Sequence, residues 1–429
     1  MPPNAQIPRL VFIGATLLDS ARHGFCTTRA QGSNIWSPID RSWTRVRGSR
    51  AGEGGGTTKR RRRRSTRRAT RVKRFGKNGL ILLLLGGIAA LAVSAGAVAG
   101  TKKSSANVQV CVLLPDTKSS VRWVQFDKPL LAKAFKNAGV TASINNALND
   151  PSKQTAQAQA CLAAGAKVVI ETSLDNGSAS AIEKLFTNKG GKAIDYDRQV
   201  TGGTASVYDT FDGKKVGQAQ ANGVINAMKA KHTYKASSIV AELWGGQTDQ
   251  NAYWFKSGND AVLNPLFKHH KLKKGPQQFV PDWDATNAAT IYDQMLVKTH
   301  NKINGAIAAN DNIAGAVIAR EKAHHLKKTP LSGQDASAAG VQYIIAGWQT
   351  GTVYKKVSLE ANAAAAAAIA LLHGKKPASN SFRKNGTKKE PTLTLPVTWI
   401  TKKNYTTLFT QHWLKKSEVC IGQYKKYCS

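Results

Sequence analysis

From residue 108 onward the chain alternates short apolar runs with longer segments whose apolar residues recur at helical spacing. Strands over 108–114, 141–144, 167–170 and 193–196 are interleaved with helices expected over 129–138, 154–164 and 179–188. A second set begins after Asp212, with helices over 216–229, 251–266, 285–300 and 313–324 and strands over 239–243, 278–280 and 305–309. A helix between successive strands supplies the long crossover that parallel pairing needs, and helices then cover both faces of the sheet. The fold class is therefore α/β, as two similar doubly wound parallel-sheet lobes. The alanine run over 361–372 reads as a helix whose small side chains pack closely on a sheet, 374–390 as a loop, and 391–401 as a late strand pair near the surface.

The chain has 429 residues, 41% of them hydrophobic, enough for one or two domains with real cores. Its 62 Lys and Arg against 25 Asp and Glu give a formal charge of +37, and the excess is steepest at the front. Residues 1–58 mix Gly, Ser, Arg, Thr and Pro without periodicity and read as a disordered or non-native extension. A basic stretch from Lys59 then abuts an apolar run ending in Ala97-Val98-Ala99, the ordered parts of a secretory signal over 59–99, with cleavage expected after Ala99. Retention as a membrane anchor is the rival reading, and Val72 an alternative start. A basic run that abuts an apolar span belongs to such a signal rather than to a nucleic-acid patch, so no nucleic-acid partner is expected. No lipobox-type cysteine follows the apolar run to accept a lipid.

Five cysteines fit an exported chain. Cys420 and Cys428 bound a short polar loop that a disulfide suits, whereas Cys111 and Cys161 fall in a predicted strand and helix, as a pair or as two core residues. Cys26 lies in the leader, and no spacing matches a zinc or redox motif.

Beyond Gly100 the basic residues are nearly all lysine, and the arginines are Arg122, Arg198, Arg320 and Arg383. A guanidinium is a planar fork that can bond two oxygens at once, where lysine is a flexible point charge. Arg122-Trp123 and Asp197-Arg198 stand at predicted strand ends, the side of an open parallel sheet where ligands bind. A sugar there needs a fan of groups for its hydroxyls and flat rings for its C–H faces. Arg122, Asp197, Arg198, Asn251, Asn310, Asp335 and Gln349 supply the first, and Trp123 and Trp283 the second. Arg320 and Arg383 read as ordinary surface charges.

These segments carry a family resemblance. Arg122-Trp123, Ile194 through Arg198, Phe211-Asp212 with Val216-Gly217, Asn310-Asp311 with Ala314-Gly315, Ser332 through Ala336 and Gln349 through Lys355 resemble the periplasmic xylose-binding proteins of sugar ABC importers. The likeness spans roughly 108–399. It implies a type I periplasmic binding fold, with the lobes joined by a three-strand hinge crossed near Phe211, near Gln349 and after Thr392. By that likeness residues 107–211 and 350–390 form the N-terminal lobe, and 212–349 and 391–429 the C-terminal lobe. It also implies a monosaccharide ligand, D-xylose first, an ABC importer permease as partner, an extracytoplasmic location, a monomer, and no cofactor or metal. Departures are Asp282 where the family has glycine, Phe279 where tryptophan is common, and Asp212-Gly213 near a hinge.

Other functions fit less well. No Gly-x-Ser-x-Gly, P-loop or metal-spaced histidine pair points to an enzyme, and adjacent His269-His270 and His324-His325 point apart on a helix, into solvent. A sugar-responsive repressor would carry a helix-turn-helix where this chain has an export signal. A sensor subunit docking to a signalling receptor shares every residue named above.

Overall fold

The computed structural model describes residues 107–428. The extension, the export signal with its cleavage point, the Val72 start and Cys26 lie outside the described residues.

The first lobe is built as β1 (Val110–Leu114), α1 (Lys128–Asn137), β2 (Ala142–Asn146), α2 (Pro151–Ala163), β3 (Val168–Glu171), α3 (Asn176–Thr187), β4 (Lys192–Tyr196) and β5 (Val207–Phe211). The second follows as α4 (Gly213–Ala230), β6 (Ile239–Trp244), α5 (Gln250–Lys268), β7 (Lys273–Phe279), α6 (Ala285–Lys298), β8 (Ile303–Ala308), α7 (Asp311–Ala323) and α8 (Ala338–Ile345). Then come β9 (Thr352–Lys355), α9 (Val357–Leu372), β10 (Ser381–Asn385), β11 (Lys388–Leu395) and β12 (Val397–Ile400), followed by the short helices α10 (Thr407–Thr410) and α11 (Lys416–Val419).

The first sheet has the order β10-β11-β5-β4-β3-β1-β2 and the second β7-β6-β8; all pairs are parallel except β10 with β11. The lobes share one plan but not one size. Three expectations change here. The segment read as a loop over 374–390 contains β10, whose exposed, charged residues give no apolar alternation because it is an edge strand. The late strands do not pair with each other: β11 joins β5, with Thr392 opposite Tyr208, while β12 pairs with β9. The lobe boundary expected at 390/391 thus falls inside β11, which stays in the first sheet through Leu395.

The chain passes between the sheets at 211–213, 355–357 and 395–397, the last two as β9 leads into α9 and β11 into β12. The second passage lies beyond Gln349, because β9 still bridges to Gln334 of the second lobe before α9 packs on the first.

Most helices start at strand ends under an acidic or amide cap. Asp150, Asp175, Asp212, Asp249, Asp284 and Asn310 each accept from a backbone N–H in the first turn. Val110, Val112, Ile170 and Ile194 are buried with Leu131 and Phe135 of α1 and the alanines of α9, whose short side chains let it approach the strands. Truncating a fully buried Phe135 to alanine would remove about 3 to 5 kcal/mol. Both disulfides are formed: Cys111–Cys161 ties β1 to α2, and Cys420–Cys428 closes the C-terminal loop. Among the described residues no helix is long and apolar enough to cross a membrane.

Candidate functional site

In each sheet the first strand lies between its two successors, so the sheet order reverses at β1 and at β6, and a crevice opens at the carboxyl ends of such strands. At the end of β1, Asp116 organises the turn. Its Oδ1 accepts from the backbone N–H of Lys118 (2.8 Å) and Ser119 (2.6 Å), and its Oδ2 from the Ser119 hydroxyl (2.7 Å). The chain then enters a π-helical turn, Trp123–Asp127, a wide geometry common at functional sites. This turn brings Asp127 back to Arg122. Asp127 takes the Arg122 fork, Nε to Oδ2 at 2.9 Å and Nη2 to Oδ1 at 2.6 Å. Nη2 also donates to Glu360 of α9, and Nη1 to Asp197 Oδ2 at 2.7 Å. Four of the five guanidinium N–H groups are thereby engaged with protein carboxylates. Arg122 lines the cavity described below, but its fork holds Asp127 rather than a pair of ligand hydroxyls, as the sequence suggested.

Asp197 follows β4 in a left-handed conformation (φ 61). Its backbone carbonyl accepts from Asn251 Nδ2 (2.7 Å), Tyr208 OH (2.8 Å) and Thr210 Oγ1 (3.1 Å). Burial opposes ionisation of its carboxyl, but Lys355, Arg122 and Arg198 outweigh burial and bring it down to about 2. Arg198 stands beside it, Nη1 donating to Ser173 O (3.2 Å) and Nη2 to Ser119 Oγ (3.3 Å). The guanidinium carbons of Arg122 and Arg198 lie 4.5 and 5.6 Å from the centre of the Trp123 ring.

The second lobe answers with amides, rings and two carboxylates. Asp249 caps α5 and lies 3.0 Å from Arg198 Nε; burial raises its carboxyl although Arg198 draws it down. Asn310 uses both ends of its amide: Oδ1 caps α7 at Ile313 N (2.9 Å), and Nδ2 reaches Ser119 O of the first lobe (2.9 Å). Asp335 accepts from Ser120 Oγ at 2.9 Å and sits 3.4 Å from Lys355 Nζ. Trp283 and the preceding Asp282 both have left-handed backbones (φ 57 and 54), so Asp282 holds a conformation that glycine adopts freely. The Trp283 ring lies on Gly245, where a Cβ would come 2.1 Å from the ring, and meets Phe255 edge-on at 6.3 Å.

Arg122, Trp123, Asp197, Arg198, Asn251, Trp283, Asn310 and Asp335 line one cavity of about 290 Å³. Gln349 does not: its amide nitrogen donates to Asp311 Oδ1 (2.8 Å) and to Gly351 O (3.1 Å), so it braces the second lobe behind the wall. Ser119, Ser120, Asp249, Phe255 and Lys355 complete the lining without having been singled out in the sequence, together with Gln334 of the family-like segment Ser332 through Ala336. Lys355 stood in a segment that carried the family likeness, but one lysine in so lysine-rich a chain gives no local signal. Four buried polar atoms in the lining make no hydrogen bond within the protein: Trp283 Nε1 and Gln334 Oε1, and, in ion pairs only, Arg198 Nε with Asp249 and Asp335 Oδ1 with Lys355. Two donors and two acceptors beside aromatic rings suit a small polyhydroxylated molecule, since buried polar atoms need partners. Among the described residues no cluster of three or more His, Cys, Asp or Glu could hold a metal.

A periplasmic binding protein domain matches residues 110–376. The D-xylose-binding periplasmic protein of Escherichia coli (strain K12) is 31% identical over 284 residues, 66% of this chain and 84% of that protein. The multiple sugar-binding periplasmic receptor ChvE of Rhizobium radiobacter is 29% identical, over 67% of this chain and 86% of its own. The carbohydrate transporter solute-binding protein of Chloroflexus aurantiacus, solved in complex with D-glucose, superposes with a TM-score of 0.67 at 26% identity, covering 72% of this chain and 98% of that one. These relatives are binding proteins, not enzymes. The chain belongs to the periplasmic binding protein family, with the D-xylose-binding periplasmic proteins among its relatives.

Proposed function

We propose that the protein binds a monosaccharide in this cavity, D-xylose first, outside the cytoplasm, and passes it to the permease of an ABC importer. The reading rests above all on the convergence of Trp123, Trp283 and four polar atoms without a hydrogen bond in the protein, in one small cavity with walls from both lobes. In this reading Asp197 and Arg198 grip hydroxyls from the first lobe, and Asn251, Trp283, Asn310 and Asp335 meet the sugar from the second. Arg122 holds Asp197 ionised and in place, and Gln349 supports the wall. The ligand favours the form in which the lobes meet, because hydrogen bonds to both lobes exist only there. Direct bonds such as Asn310 to Ser119 O assist that form, so the sugar supplies only part of the closing free energy.

A thermal-shift panel of D-xylose, L-arabinose, D-ribose, D-glucose, D-galactose and myo-inositol tests the reading, because a ligand of the folded state raises the unfolding midpoint. D-xylose is expected to give the largest rise. A folded protein that responds to none of them would sink the proposal, and a larger rise with glucose would replace xylose as the ligand.

A further inference from the structure

The end of the second lobe opposite the cleft carries four turns, after α4, α5, α6 and α7. They enclose a groove of about 1860 Å³ whose basic lining is Lys231, Lys273, Lys302, Lys327, Lys328 and His325, and no carboxylate lines it. The nearest acids are already engaged. Glu321 is buried and accepts from Tyr292 OH at 3.2 Å, and Asp293 pairs with Arg320 at 2.7 Å and with His324 at 3.0 Å. Within the groove the ammonium groups meet neutral carbonyls: Lys231 Nζ donates to Lys328 O at 3.1 Å, and Lys328 Nζ to Ala346 O at 2.9 Å. Burial, reinforced by Lys328 and opposed by Glu321, holds the Lys231 ammonium below its ordinary value.

Cations at helix C-termini are favoured by the helix dipole, which accounts for a lysine or two at each turn. It does not account for five lysines gathered around one concavity that no carboxylate lines. We infer that this groove is a second binding site, independent of the cleft, for a linear polyanion such as a phosphate-linked polymer. The groove is far larger than a single phosphate. Lysines supplied by four separate turns suit repeating charges, since an ammonium is a point charge that tolerates variable spacing. A lipid surface fits less well: the basic groups are recessed, and the exposed large apolar side chain at these turns is Val297, where membrane-surface helices present Trp, Phe and Leu.

The test measures binding of fluorescently labelled inorganic polyphosphate across a salt series. The quadruple variant Lys273→Gln, Lys302→Gln, Lys327→Gln and Lys328→Gln is compared with Lys167→Gln, Lys189→Gln, Lys375→Gln and Lys376→Gln, which removes as many exposed lysines from the first lobe. The groove variant is expected to bind at least ~10-fold more weakly, with a salt slope shallower by about 3 to 4, while the control changes less than ~2-fold. An unchanged unfolding midpoint for each variant establishes that it folds. Equal weakening by both variants would reduce the site to diffuse surface charge. Binding to phosphatidylglycerol vesicles that survives the groove substitutions, with no polyphosphate binding by the parent protein, would point to a membrane and overturn the inference.

Discussion

Asp197 and Asp311 follow strand ends in opposite lobes and are equally shielded from water, yet their carboxyls move in opposite directions. Asp197 is brought down to about 2 against its burial by Lys355, Arg122 and Arg198. Asp311 is pushed up to about 7 by burial, which the hydrogen bonds from Gln349 and Ser337 reduce but do not reverse. Burial alone drives a carboxyl toward its neutral form, and facing cations or enough donated hydrogen bonds hold it charged. Around Asp197 the first lobe therefore presents fixed, paired charge, while burial pushes Glu360 on the far side of Arg122 up to about 8. Asp311 and Gln349 brace a second-lobe wall made chiefly of amides and rings.

The strongest way to break this contrast is to remove its central cation. Arg122→Met leaves Asp127, Asp197 and Glu360 buried without their shared partner. Breaking a buried ion pair by deleting one member destabilises by about 3 to 5 kcal/mol, to be read from urea unfolding at neutral pH. A loss under ~1 kcal/mol would mean that Lys355 alone can hold the carboxylates, and the network would then be redundant.

The Asp311 side of the contrast is tested by pH. A carboxyl whose folded value lies above its unfolded value adds stability at low pH that is lost as pH rises toward and through the folded value. For Asp311 that window runs from about 4 to about 7, and the step from pH 5 to pH 8 should remove about 3 kcal/mol. Asp311→Asn should shrink the step by that amount, with Glu360, pushed up to about 8, supplying part of what remains. Asp197, with its folded value lowered, adds stability above about 4 that is lost only as pH falls toward about 2, outside this range. If Asp311→Asn leaves the pH 5 to 8 slope unchanged, the neutral character of that residue is wrong.

Arg198 separates ligand chemistry from stability. Arg198→Lys keeps the charge near Asp249 and Asp116 but removes Nε and the fork. Sugar affinity should fall by about 2 kcal/mol, roughly 30-fold, by calorimetry. Unchanged affinity would take Arg198 out of the site.

The strand ends were legible in the sequence, because an apolar run followed by Asp or Asn and then a helical pattern is a local signal. So was the gathering of eight candidate residues at one cavity, which follows from strand direction. The role of Arg122 was not. Of its three carboxylate partners, Glu360 lies 238 residues away on α9 and Asp127 is brought in by a π-helical turn; neither has a local signature. Gln349 was misplaced for a related reason: its distance from a hinge passage depends on how far β9 continues to pair within the second lobe. β10 and the start of β7 were hidden because polar edge strands lack the period of 2 that reveals half-buried ones.

The smallest effect expected concerns the outer turns, where the lobes differ again. Gly139, Gly165, Gly190 and Gly374 end helices of the first lobe with positive φ, and His232, His270, His300 and His325 end those of the second in the same region. The hydrogen bonding is shared: Gly139 N reaches Lys136 O and Val140 N reaches Phe135 O, just as His270 N reaches Phe267 O and Lys271 N reaches Leu266 O. The second histidine of each adjacent pair has thus left the helix that the sequence reading gave it. A side chain with a Cβ loses about 1 to 2 kcal/mol in this conformation, and glycine returns about 0.5 to 1 kcal/mol of that through its greater entropy when unfolded. His270→Gly and His300→Gly should therefore each raise stability by about 0.5 kcal/mol in urea unfolding, whereas Gly139→His should lower it by a similar amount. If the histidine variants gain nothing, imidazole contacts at those turns offset the backbone strain, and the two lobes end their helices at equal free energy by different means.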